Sequence, residues 1–153
     1  MKISVIFSLF IFLSACGHKH NAFEKFHISH EKELSEDILQ TLKVKRSDQS
    51  VAGMVTVVYL NKVFPKRYKD GEYFYIYYYI KNPHSSIAVT LNGAQPLEVQ
   101  HLPVNNQFSY LTSFDASWSR YILVKFAKEG NRLQLKFTAD KAAVATLQFV
   151  KDK

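Results

Sequence analysis

The chain has one cysteine, Cys16, in 153 residues. A single thiol excludes an intramolecular disulfide and any metal site built from several thiolates. Glycine and proline are scarce, at five and four. No G-x-x-x-x-G-K-[ST], H-E-x-x-H or G-x-S-x-G pattern occurs, so a phosphate-cradling loop, a helical zinc-protease site and a nucleophile elbow have no support. Ser113, Asp115, His84 and His101 are the residue types of a triad, but nothing in their spacing assembles one, and a histidine in "LEVQHL" is more often a rim or core residue. Enzyme activity is not expected. There is one tryptophan, Trp118 in "DASWSR", read as a loop aromatic plugging the end of the domain.

What is present begins with "MKISVIFSLFIFLSACGHKH". Lys2 supplies a cationic start, and Ile3 to Ala15 is an unbroken run of apolar and small residues. That run is shorter than the about 20 residues a spanning helix needs and suits the h-region of an export signal over residues 1–15. Leu13-Ser14-Ala15-Cys16 resembles the lipobox of bacterial lipoproteins. The resemblance covers the first 16 residues and implies cleavage before Cys16, acylation of its thiol and amine, and a membrane anchor through lipid. Two or more acyl chains hold stably where one is marginal, each buried methylene contributing about 0.8 kcal/mol. Gly17 stands where, in enteric bacteria of that family, an aspartate marks inner-membrane retention. The resemblance therefore implies an outer membrane location facing the periplasm.

Removal of the leader takes one of 20 basic side chains, Lys2, and none of 13 acidic ones, leaving a formal charge of +6. For an exported chain that surplus points to anionic lipid or envelope polymer, and nucleic acid is not expected. No cofactor is expected.

Residues 16–29 read as a polar, histidine-rich tether. His18, His20, His27 and His30 have H-x-H and H-x-x-H spacing that can ligate zinc, copper or nickel, although a polar spacer explains them equally and a tether offers no fixed second shell. Residues 30–153 read as one domain. Ser29 is a candidate N-cap with Glu31 and Glu33 in the first turn, and Leu34, Ile38 and Leu42 form an apolar stripe, so a helix is predicted over 30–42.

Beyond Ser50 the pattern is short β-branched and aromatic runs between turn signals. The predicted strands are "MVTVVYL", "EYFYIYYYIK", "SIAVTL", "AQPLEVQHL", "QFSYLTSF", "SRYILVKFA", "RLQLKFT" and "VATLQFV". Asn92-Gly93 suits a tight hairpin, Glu129-Gly130-Asn131 a second one, and Pro96 makes 94–102 an edge. Seven or eight strands predict an antiparallel β-sandwich, immunoglobulin-like or fibronectin-like, without the disulfide hallmark.

"EYFYIYYYI" holds five tyrosines in the seven positions 73–79. Alternation puts Tyr73, Tyr75, Tyr77 and Tyr79 on one face and Phe74, Ile76, Tyr78 and Ile80 on the other, which reads as core. Three explanations stand for the first set: a cover supplied by the N-terminal helix, a protein partner, or stacking on sugar rings of a glycan or peptidoglycan. Lys62, Lys66, Arg67 and Lys69 cluster around Phe64 and Tyr68 in a basic loop, the natural rim of any contact surface near the tyrosines, though also an ordinary solvated loop. The expected activity is non-enzymatic binding of an envelope protein partner through these tyrosines, Lys66, Arg67, Tyr68 or Trp118, or through the exposed edge 94–102 by addition of a strand. A glycan-binding lipoprotein and a metal-handling one are the alternatives.

Overall fold

The computed structural model describes residues 29–151. The leader, Cys16, the tether and its His18, His20 and His27 lie outside the described residues.

The helix α1 (His30–Ile38) starts as expected, with Ser29 Oγ accepting from Lys32 N at 3.3 Å. It stops four residues short of the prediction. Leu39 is extended (φ −65°, ψ 128°), and Leu42 and Val44 alternate within a strand, β1 (Gln40–Lys45). The stripe of Leu34, Ile38 and Leu42 therefore never forms, because its last member pairs with Val55 of β2 (Val51–Tyr59). A single turn, α2 (Leu60–Val63), precedes β3 (Glu72–Ile80). Then come β4 (Ile87–Leu91), β5 (Glu98–Leu102), a second short turn α3 (Ser109–Thr112), β6 (Arg120–Phe126), β7 (Arg132–Ala139) and β8 (Ala143–Val150). The segment 107–114, expected as a strand, holds α3 and irregular chain.

The protein is mainly β. The eight strands of the described residues join antiparallel in one curled sheet of order β4-β7-β8-β1-β2-β3-β6-β5. An immunoglobulin-like sandwich is not established, because the ladder runs on from β8 to β1 through the pair Lys45–Val144. The sheet curls enough for its wings to meet: Tyr78 of β3 contacts Phe137 of β7 at 5.1 Å between ring centroids, and Phe74 contacts Phe149 of β8 at 5.5 Å. Between the wings lies the larger core, which includes Val55, Val57, Phe74, Ile76, Ile122, Val124, Leu135 and Leu147.

Two turn expectations are corrected. Asn92 (φ 49°) and Gly93 (φ 86°) do make the tight turn, closed by Ala94 N to Leu91 O at 2.8 Å. The hairpin goes no further than Leu91–Ala94, since β4 pairs with β7 and β5 with β6, at opposite edges of the sheet. Pro96, which has no N–H to extend a ladder, lies just beyond. Glu129-Gly130-Asn131 is likewise a crossover between wings. The hairpin with β7 is made by β8, through Asp140 and Lys141 at positive φ.

The crossover is held by a buried carboxylate. Glu72, 1% exposed, accepts from Tyr59 Oη at 2.6 Å, from Glu129 N at 3.1 Å and from Lys151 Nζ. Burial alone would raise its pKa, but the three donors outweigh it and hold the carboxyl below its ordinary value.

Candidate functional site

The outer face of β3 differs from end to end. Directly opposed residues of an antiparallel pair share a face, so the register Val58–Tyr75–Leu123 forms one cross-strand row, Thr56–Tyr77–Tyr121 the next, and Lys43–Met54–Tyr79 the last.

At the first row the face is sealed. Tyr75 is fully buried against Phe108 (5.3 Å) and Tyr121 (6.4 Å), and burial pushes its hydroxyl up to about 12 against hydrogen bonds from Asn106 and Ser109. Leu60, Val63, Tyr68, Phe108 and Leu111 complete this second core, with Ile38 and Leu39 of the α1 end packed on it. The expected helical cover is thus partly right. The lid over Tyr75 comes from the connection between β5 and β6, and α1 locks that connection from outside, with Ser35 Oγ donating to Leu111 O at 2.6 Å.

Tyr73 is half-buried, donates to Asp70 Oδ1 at 2.7 Å and packs on Tyr68 at 4.6 Å. Lys125 Nζ lies 2.7 Å from Asp70 Oδ2, and the hydrogen bonds from Lys125 and Tyr73 hold the Asp70 carboxyl down at about 2. In the basic loop Tyr68 is a core residue, raised in pKa by burial. Arg67 lies over its ring at 5.2 Å and donates to Gln107 Oε1 at 3.4 Å; Lys66 and Lys69 are exposed. This loop is at the Tyr73 end. It does not rim the open surface, whose lining begins at Tyr77, four residues and about 13 Å along the strand.

At that other end a groove of about 560 Å³ opens, lined by Thr41, Met54, Thr56, Tyr77, Tyr78, Tyr79, Phe114, Trp118 and Ser119. Its far wall is the 113–119 loop. Ser113 adopts a left-handed conformation (φ 52°) and accepts from Lys32 Nζ at 2.6 Å, so α1 ties down the start of the loop. Phe114 then stacks on Tyr77 (4.8 Å, 20°), and Trp118 stands edge-on to both Phe114 and Tyr79 at 5.5 Å. Trp118 is 62% exposed, Met54 47% and Tyr79 40%. Trp118 therefore does not plug the domain, as expected from sequence; it stands out from it. The groove's polar atoms are few, and the Thr41 and Thr56 hydroxyls already bond each other at 2.9 Å.

Beyond Tyr79 and Trp118 lies a second hollow of about 270 Å³. Tyr78, Tyr79 and Trp118 are shared with the groove, and Lys81, Asn82, Pro83, Ser85 and Arg120 are its own. Arg120 donates to Pro83 O.

Of the expected site residues, the structure brings together Tyr77, Tyr79 and Trp118, buries Tyr75 and Tyr68, and leaves Tyr73, Lys66 and Arg67 at the other end. Met54 and Phe114 were not singled out. Met54 had a signal, standing among the residues alternate to Val55, Val57 and Tyr59, whereas Phe114 lay in a segment that reads as strand. His30 begins α1, and His84 and His101 are exposed on separate elements. Ser113 bonds Lys32, and among the described residues no hydrogen bond links it to either histidine. No protein-family model, curated protein or solved structure matches the chain.

Proposed function

We propose that the protein is a lipid-anchored, non-enzymatic binding module of the bacterial envelope, whose Met54–Tyr79–Trp118 groove receives an apolar side chain of a protein partner. The observation that carries the reading is the groove itself: three large apolar side chains left open side by side, on a face whose other end is carefully covered. Aromatic residues and methionine are the types enriched at protein interfaces. The lipobox-like Leu13-Ser14-Ala15-Cys16 supports the anchor at Cys16 and, with Gly17, an outer membrane site facing the periplasm. Within the same proposal, the ring contacts between wings support a packing kinship with immunoglobulin-like sandwiches.

Stacking on glycan is the second reading, favoured by the exposure of Trp118. It is the weaker, because sugar hydroxyls need several free hydrogen-bonding side chains and the groove offers an almost wholly apolar lining. The test is a photocrosslinking residue in place of Met54 in the full-length protein in cells. A discrete protein adduct, absent when the same residue replaces exposed Lys66 instead, supports the reading. Retention on purified peptidoglycan that is lost in Trp118→Ala, with no protein adduct, sinks it in favour of glycan.

A further inference from the structure

The aromatic groove does not end at Tyr79 and Trp118. The same two rings form the near wall of the smaller hollow, where Lys81 and Arg120 lie. On the opposite flank Lys43 is paired with Met54 and shares its face. Cations therefore border the apolar groove on two sides. Among the described residues neither Lys81 nor Arg120 forms an ion pair with a carboxylate. Asp140 bonds Ser85 of the hollow's lining, accepting from Ser85 Oγ (2.7 Å) and Ser86 N (3.0 Å), and among the described residues makes no ion pair with Lys81 or Arg120. Asp115 follows Phe114 on the loop wall, and the chain as a whole carries +7.

We propose that the partner segment is acidic as well as apolar: an extended peptide that places an aromatic or aliphatic side chain in the groove and a carboxylate, two residues on, against Lys81 and Arg120. This rests on the protein-binding reading and adds the partner's chemistry to it. The spacing follows from the shared wall. In an extended chain, side chains that point the same way recur at every second residue, about 7 Å apart, enough to straddle the ridge of Tyr79 and Trp118. Arg120 spends donors on Pro83 O and on the Tyr78 hydroxyl, and its guanidinium has other N–H groups left for a carboxylate. A lysine-flanked apolar groove also rejects basic segments, since a like charge brought beside Lys81 gains nothing and is repelled.

Trp118 is the only tryptophan in the chain, so its fluorescence reports the groove directly. The experiment titrates the purified full-length chain with three peptides free of tryptophan, carrying Phe-Gly-Asp, Phe-Gly-Asn or Phe-Gly-Lys in one Gly-Ser frame. Vesicles of phosphatidylethanolamine and phosphatidylglycerol serve as the competing surface. The expected result is a Trp118 emission change with the Asp peptide, binding weaker by about tenfold for the Asn peptide because a charge-assisted bond is lost, and weakest for the Lys peptide. Lys81→Glu should reverse the order of the Asp and Lys peptides while leaving the far-ultraviolet spectrum unchanged. If Asp and Asn peptides bind alike, the acidic requirement is overturned and the groove reading survives. If no peptide at millimolar concentration moves Trp118, both fall, and vesicle binding in that case identifies the surface as a membrane contact.

Discussion

Tyr75 and Tyr79 sit four residues apart on one face of one strand, and they have opposite fates. Tyr75 is sealed beneath Phe108 and Leu111, while Tyr79 is 40% exposed beside Trp118 and Met54. The residue type is identical and the backbone equally regular. What differs is the chain that crosses above: the part of the β5–β6 connection before Ser113 lies over the first, whereas beyond Ser113 it runs beside the second as a wall, touching it edge-on through Trp118 and leaving it open. Tyrosine suits both situations, because its ring packs in a core while its hydroxyl tolerates water. Its presence alone cannot separate a folding device from a contact surface.

The comparison can be broken by removing rings at each end. Tyr75→Ala should cost about 3–5 kcal/mol of stability, the usual penalty for an emptied aromatic site in a core, seen as a lower urea midpoint. A loss as small as that of a surface substitution would show that the lid does not pack on the strand.

Glu72→Gln comes next, at about 1–3 kcal/mol, because a buried charge-assisted network loses its charge. The folded-state pKa of Glu72 is below its ordinary value, 4.5. Its contribution is therefore full above about pH 4.5 and lost as pH falls through the lower folded value. Urea midpoints taken downward from neutral pH should drop for the natural chain and drop less for Glu72→Gln. An identical acid response in the two would mean that other carboxylates carry it.

Trp118→Ala should change stability by under about 0.5 kcal/mol, as expected at an exposed position, while abolishing capture of the partner segment. If instead it unfolds the domain, the ring is part of the lid and the two ends of β3 are not distinct. The smallest effect belongs to Asp70→Asn. Asp70 itself is 63% exposed although its partners Lys125 and Tyr73 are half-buried, so urea midpoints at ordinary salt should not move measurably, whereas at low salt a slight loss should appear.

Much of the architecture was legible along the chain. The alternation of Phe74, Ile76 and Tyr78 marked the core side of β3, Ser29 marked the start of α1, and Pro96 marked the edge that became β5. Local sequence misled where two signals competed. Leu42 sits at helical spacing from Ile38 and also at strand spacing from Val44, and pairing with Val55 decided it. "QFSYLTSF" has the aromatic and β-branched content of a strand, and tertiary contact with Ser35 and Tyr75 holds α3 there instead. Gly53 was silent in sequence. In the structure a Cβ at that position would stand 2.0 Å from Tyr79 O, so the close approach of β2 to β3 needs glycine.

By itself the sequence determined that the protein is mainly β, where most of its strands run, and which face of each is apolar, because those properties follow from a period-2 pattern within a few residues. Only the tertiary structure decided that the strands form one curled sheet, that the Asn92-Gly93 turn does not join neighbours, and that the tyrosine row is closed at one end and open at the other. Each of these depends on which distant segment comes to lie alongside or across a strand. That choice is made by packing over the whole domain, and no local spacing encodes it.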